Sequence, residues 1–105
     1  MATLIPHKNS NLNQDLHHLY EIIDKIGDDT FKYGVSCEPF GMDGLSDRMR
    51  KQVNALNRVD EWQRFYAKIL IYDIDGKREA RRIERQYIDN YVLKHGRKPR
   101  GNPRY

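Results

Sequence analysis

From residue 30 to residue 36 apolar and polar side chains alternate cleanly. Phe31, Tyr33 and Val35 face one way and Lys32, Gly34 and Ser36 the other, the period-two signature of a strand. The preceding run 18–24 (HLYEIID) is rich in Ile, Leu and Tyr, and residues 25–29 (KIGDD) between the runs are turn formers. Together they predict a β-hairpin. Leu45, Met49, Val53 and Leu56 then recur at helical spacing. This predicts a helix over 45–57 with one buried face, capped by Asp43 or Ser46 after a loop marked by Pro39, Gly41 and Gly44. Residues 65–72 (FYAKILIY) are apolar almost throughout, the pattern of a central strand covered on both faces. Asp73, Asp75 and Gly76 close it with a turn, and 77–94, which holds neither Gly nor Pro, forms the second helix. Residues 95–105 contain two Gly and two Pro and read as an irregular tail, while 1–15, rich in Asn, Ser and Gln, read as a mobile arm. The expected domain therefore spans 16–105 in the order β-β-α-β-α. It is an α+β fold with a three-stranded antiparallel sheet flanked by helices.

Two side chains break these patterns. On the second helix Ala80, Ile83, Tyr87, Ile88 and Tyr91 make an apolar stripe, and Glu84 falls inside it. Burying an ionised carboxylate is costly without a cation, a hydrogen bond or a metal ion beside it. A partly exposed Glu84 paired with one of the many arginines satisfies the same pattern. On the first helix Arg48 and Gln52 flank the apolar stripe, whereas Arg50 and Lys51 point elsewhere. An arginine at the edge of a cleft can clamp a phosphate bidentately, although a surface arginine whose stem covers apolar neighbours is the commoner arrangement.

Composition narrows the partners. A chain of 105 residues has room for one domain, and 19 Lys and Arg against 15 Asp and Glu leave a net charge of +4, which favours polyanions. The excess is concentrated at the end, where Lys94, Arg97, Lys98, Arg100 and Arg104 occur with no acidic residue among them. Such a strip can track a phosphate backbone, and a solvated basic tail has the same composition. A single Cys37 excludes an internal disulfide and suits action in the cytoplasm. No run is long and apolar enough to span a membrane or serve as a signal peptide. His17, His18 and His95 have no partners at metal-ligand spacing, and Cys37 lacks an evident base, which argues against a zinc site and a cysteine nucleophile.

The pieces resemble the GIY-YIG nuclease family over residues 16–104. His18-Leu19-Tyr20 stands where the family has Gly-Ile-Tyr. Lys32-Tyr33-Gly34-Val35-Ser36 is similar to its second motif, Leu45-Ser46-Asp47-Arg48 to its Leu-x-x-Arg, Glu84 to its metal-binding Glu, and Asn102 to a late Asn. The resemblance implies a metal-dependent endonuclease. Glu84 would bind one Mg2+ or Mn2+, Tyr20 would activate water as general base, and Arg48 would stabilise the phosphate. A phenol titrates near ~10 in water, so Tyr20 needs a nearby cation, and Lys32, which stands where the family has its second Tyr, is the candidate. The alternative reading of Lys32 is a degenerate site that binds nucleic acid without cutting it. Asn102 would bind phosphate or orient Tyr20, and Arg97, Lys98, Arg100 and Arg104 would bind the backbone of DNA, or of RNA.

A stand-alone domain of this kind resembles the toxin domains of bacterial polymorphic effectors, delivered into the cytoplasm of a competing cell. That implies a cognate immunity protein whose acidic surface plugs the cleft. The alternatives are a housekeeping, restriction or mobile-element nuclease, and a non-catalytic nucleic-acid-binding module.

Overall fold

The computed structural model describes residues 14–103, so most of the expected arm, and Arg104 of the basic strip, lie outside it. Its elements are β1 (Leu16–Asp24), β2 (Asp29–Ser36), α1 (Asp47–Asp60), β3 (Phe65–Asp75) and α2 (Gly76–His95). A single 3-10 turn, Ile26–Asp28, joins β1 to β2, with Gly27 at φ 75° where a side chain would be strained. Both strand pairings are antiparallel. The α+β class and the β-β-α-β-α order are therefore those the residue pattern predicts.

The sheet order is β2-β1-β3, and this overturns one expectation: the central strand is β1, and the apolar run of β3 lies on an edge. Tyr66, Lys68 and Tyr72 of β3 are exposed, whereas in β1 every residue but Leu16 and Glu21 is buried. Aromatic and β-branched residues suit an edge strand as well as a central one. The burial of β1 was masked by its two His and its acidic residues.

Bulges explain two further differences. The β1–β2 register shifts between Ile22 and Ile23, so that Phe31 is an extra residue on β2. Phe31 consequently leaves the face of Tyr33 and Val35 and packs beside Tyr20, Ile22 and Phe65. On the other side of β1 two register shifts absorb extra residues of β3. The expected turn at Asp73 is thus a point within the strand, with φ 55°, and β3 continues to Asp75 before α2 begins.

Each helix covers one face of the sheet. Met49 of α1, with Leu45, Val53 and Leu56, packs on Tyr20, Ile22 and Phe65. Ala80 of α2, with Ile83 and Tyr87, packs on Leu19, Val35 and Ile74. Neighbouring residues of β1 thus feed opposite cores, as strand alternation requires. Ser46 occupies the N-cap position of α1 without a capping bond from its hydroxyl, and the Glu38 carboxylate instead accepts from the Arg48 N–H at 3.0 Å. Two buried asparagines act as clamps. Asn57 donates to the Phe65 carbonyl and accepts from its N–H, at 3.0 and 2.7 Å, and Asn102 does the same to Tyr33, at 2.9 and 2.7 Å.

Candidate active site

Tyr20 belongs to the central strand, yet its ring must cross β2 to reach solvent. It can do so because Gly34 lies opposite: a Cβ at Gly34 would stand 2.4 Å from the Tyr20 ring. The sequence Tyr33-Gly34 is therefore a passage for the phenol as well as a strand segment. Across the outer part of β2 a cleft of about 250 Å³ opens, lined among others by Tyr20, Lys32, Arg48, Lys77, Glu84 and Asn102. Arg48 comes from the helix on one face of the sheet and Glu84 from the helix on the other. All five residues expected at the site, Tyr20, Lys32, Arg48, Glu84 and Asn102, line this one cleft.

Their surroundings differ from the expectation in three respects. Tyr20 is completely buried, and its hydroxyl donates to Gln52 Oε1 at 2.8 Å. Burial raises its pKa, and the Arg48 guanidinium and the Gln52 hydrogen bond offset this only in part. The cation that acts most on the phenol is thus Arg48, one helical turn before Gln52. Lys32 has its own pKa lowered by burial, with Arg48 adding to the effect and Glu84 opposing it.

Second, Asn102 lines the cleft with its amide bonded to the Tyr33 backbone, so its observed bonds anchor the tail to β2. Third, two cations of the basic strip, Arg97 and Arg100, are engaged in ion pairs. Arg100 donates to Asp24 at 2.5 Å and Arg97 to Asp29 at 3.1 Å, while the Gly101 N–H donates to the Phe31 carbonyl at 2.7 Å. The tail is irregular in conformation but docked on β2, and these two arginines hold it there. Lys98 is half-buried in the same docked segment.

Glu84 keeps the anomaly seen on the helical wheel. Its side chain is 15% exposed, its nearest cation, Arg81, is 4.0 Å away, and it makes no hydrogen bond with a described residue. Burial raises its pKa against the combined pull of Arg81, Lys77, Lys32 and Arg48. The carboxylate is surrounded by positive charge that does not touch it. No group of three His, Cys, Asp or Glu able to hold a metal exists among the described residues, and Glu84 is the one carboxylate among the residues that line this cleft. His17 and His18 are buried in β1, each with Nε2 unpartnered.

Two lining residues, Lys77 and Arg81, and the Tyr20 partner Gln52 had been passed over. Gln52 was noted only for its position on the wheel, and Lys77 and Arg81 were not singled out, although positions 77, 81 and 84 follow one another on one helical face. Beside the cleft and sharing Tyr33 with it lies a second one of about 590 Å³, whose lining includes Tyr33, Tyr87, Tyr91 and His95. The strand and helix periods did not reveal this aromatic grouping, because it assembles across α2 and β2.

The sequence profile of the URI fold toxin 2 family matches residues 10–96, which include β1 through α2 and every cleft residue except those of the tail. The chain belongs to this family. It is accordingly a toxin domain of the URI fold type, and the family match begins within the segment expected to be an arm. No curated protein and no solved structure showed significant similarity to the chain.

Proposed function

We propose that this toxin domain is an endonuclease of the GIY-YIG type that hydrolyses phosphodiester bonds in the DNA of a competing bacterium. One observation carries the proposal: Tyr20, Lys32, Arg48 and Glu84, far apart in the chain, meet in a single cleft where four cations, Lys32, Arg48, Lys77 and Arg81, face one carboxylate. Such an excess of cations over carboxylates suits a site whose anion arrives with the substrate.

In the reaction, water attacks phosphorus and the bond to the leaving oxygen breaks. Arg48 and Lys32 stabilise the charge that builds on the non-bridging oxygens. Tyr20, once it has lost its own proton to solvent, accepts a hydrogen bond from the water and takes its proton, while the Arg48 guanidinium stabilises the phenolate. Because burial raises the Tyr20 pKa, cleavage is expected to rise with pH through the neutral range and beyond.

A divalent ion fits the cleft on one condition. Glu84 offers a carboxylate oxygen, but a single ligand among four cations holds Mg2+ or Mn2+ only when substrate phosphate supplies further oxygens. Such an ion would contribute Lewis-acid stabilisation of the leaving oxygen. Calorimetry with Mg2+ should accordingly show weak binding or none until nucleic acid is added.

Plasmid nicking in Mg2+ and Mn2+, compared with Glu84→Ala, tests the proposal. Nicking by the unaltered protein that Glu84→Ala abolishes is the expected result, and equal nicking by both would remove Glu84 from the site. The aromatic lining of the adjoining cleft favours a second reading, RNA or another single strand whose bases stack there, so total RNA belongs in the same assay. Growth arrest on cytoplasmic expression, relieved by an acidic immunity protein, is the expected phenotype.

A further inference from the structure

Lys77 is unusual in three ways. It is buried, at 4% exposure, in the first turn of α2. It makes no hydrogen bond or ion pair with any described residue. It also lines the cleft with Glu84 and Arg48. Both features of its position oppose a positive charge: the helix N-terminus carries a partial positive charge of its own, and a buried ammonium without a counterion has lost its hydration. The groups that act on it are mixed. Arg81 of its own helix and Arg48 of α1 repel it, Glu84 and the Cys37 thiol after β2 attract it, and it in turn acts on His17 of β1. Among the described residues no hydrogen bond or ion pair repays this placement.

We infer that Lys77 is a substrate-contacting residue whose ammonium group binds a non-bridging oxygen of the phosphodiester, from the α2 side, opposite Arg48. This deepens the endonuclease reading and rests on it. The phosphate is then held between two cations supplied by the two faces of the sheet, with the helix N-terminus adding to the field. No bond to Lys77 forms or breaks. It neutralises the charge that gathers on the phosphate oxygens as water adds and the leaving oxygen departs.

The experiment compares Lys77→Met and Lys77→Arg with the unaltered protein on the polynucleotide that it cleaves, and follows thermal melting of all three. The expected result is a fall in kcat/KM of about 100-fold or more for Lys77→Met, partial recovery in Lys77→Arg, and a melting temperature for Lys77→Met that is unchanged or higher. Cleavage by Lys77→Met at the unaltered rate would overturn the assignment. Lysine side-chain NMR on the unaltered protein with a hydrolysis-resistant dinucleoside phosphorothioate keeps the assignment testable if Lys77→Met fails to fold. The Lys77 signal should shift on addition, and an unmoved signal would refute the contact. If the unaltered protein cuts neither DNA nor RNA while the Lys77 signal still shifts, the endonuclease reading falls and the anion site stands. If Glu84→Ala abolishes cleavage and Lys77→Met does not, the role of Lys77 alone falls.

Discussion

Asp24 and Glu84 are both carboxylates among arginines and lysines, and they reach opposite states. Asp24, at the end of β1, is 1% exposed. It receives two bonds from Arg64, at 2.8 and 2.7 Å, one from Arg100 at 2.5 Å and one from the Ile26 N–H at 2.9 Å. The Arg64 hydrogen bonds lead the forces that hold its pKa far below the usual carboxylate range. Glu84 has four cations around it and none closer than 4.0 Å, and burial wins, raising its pKa. Proximity of charge is therefore not enough; direct hydrogen bonds decide whether a buried carboxylate is used up by the fold or left over for chemistry. Asp24 ties the end of β1, the entry to β3 and the tail together. Glu84 ties nothing.

Substitutions at the two positions should separate activity from stability. Glu84→Gln is expected to lower cleavage by about 100-fold or more, with a melting temperature at neutral pH that is unchanged or raised. Asp24→Asn should do the reverse, losing about 3 kcal/mol by breaking a buried ion pair while the folded fraction still cleaves. Denaturant melts beside nicking assays measure both, and an Asp24→Asn protein that melts normally but is inactive would erase the distinction.

Asn102→Ala sharpens the comparison from the side of the tail. Leaving the Tyr33 N–H and carbonyl unmatched should cost about 1–3 kcal/mol, and hydrogen exchange at Tyr33 should quicken first. Since the observed bonds of Asn102 go to β2, the fall in cleavage should follow the loss of folded protein, and a larger fall would point to a contact with the phosphate.

Acid should then act on the two carboxylates in opposite senses. The folded pKa of Asp24 is depressed, so its contribution is present above the unfolded value of roughly 3.9 and fades as pH falls below it. The stability gap between the unaltered protein and Asp24→Asn should close in that direction. The folded pKa of Glu84 is raised, so the penalty for ionising it appears as pH climbs past roughly 4.3. Any advantage of Glu84→Gln should therefore vanish below that pH. Melting curves of the three proteins from neutral pH downward check both signs.

The smallest effect is expected at Arg97, half-exposed and paired with Asp29. Arg97→Ala should leave the melting temperature and the salt dependence of nucleic-acid binding nearly unchanged, because a cation already engaged releases few counterions. A clear drop in the salt slope would return the tail to the binding surface.

Much of this was legible in the chain itself. Periods of two and near four placed the strands and helices, the apolar stripe singled out Glu84, and the wheel put Arg48 and Gln52 on a flank, because these signals depend only on how one element presents its own residues. What the sequence could not supply arises between elements. An apolar run such as 65–72 is the same whether its strand is central or at the edge. The bulge that turns Phe31 around needs β1 beside it, and Asn102 and Arg100 look like free polar groups until the tail folds back on Tyr33 and Asp24. Lys77 is a plain helix-start lysine in the sequence. Only packing, which buries it and brings no counterion from the described residues into contact with it, sets it apart.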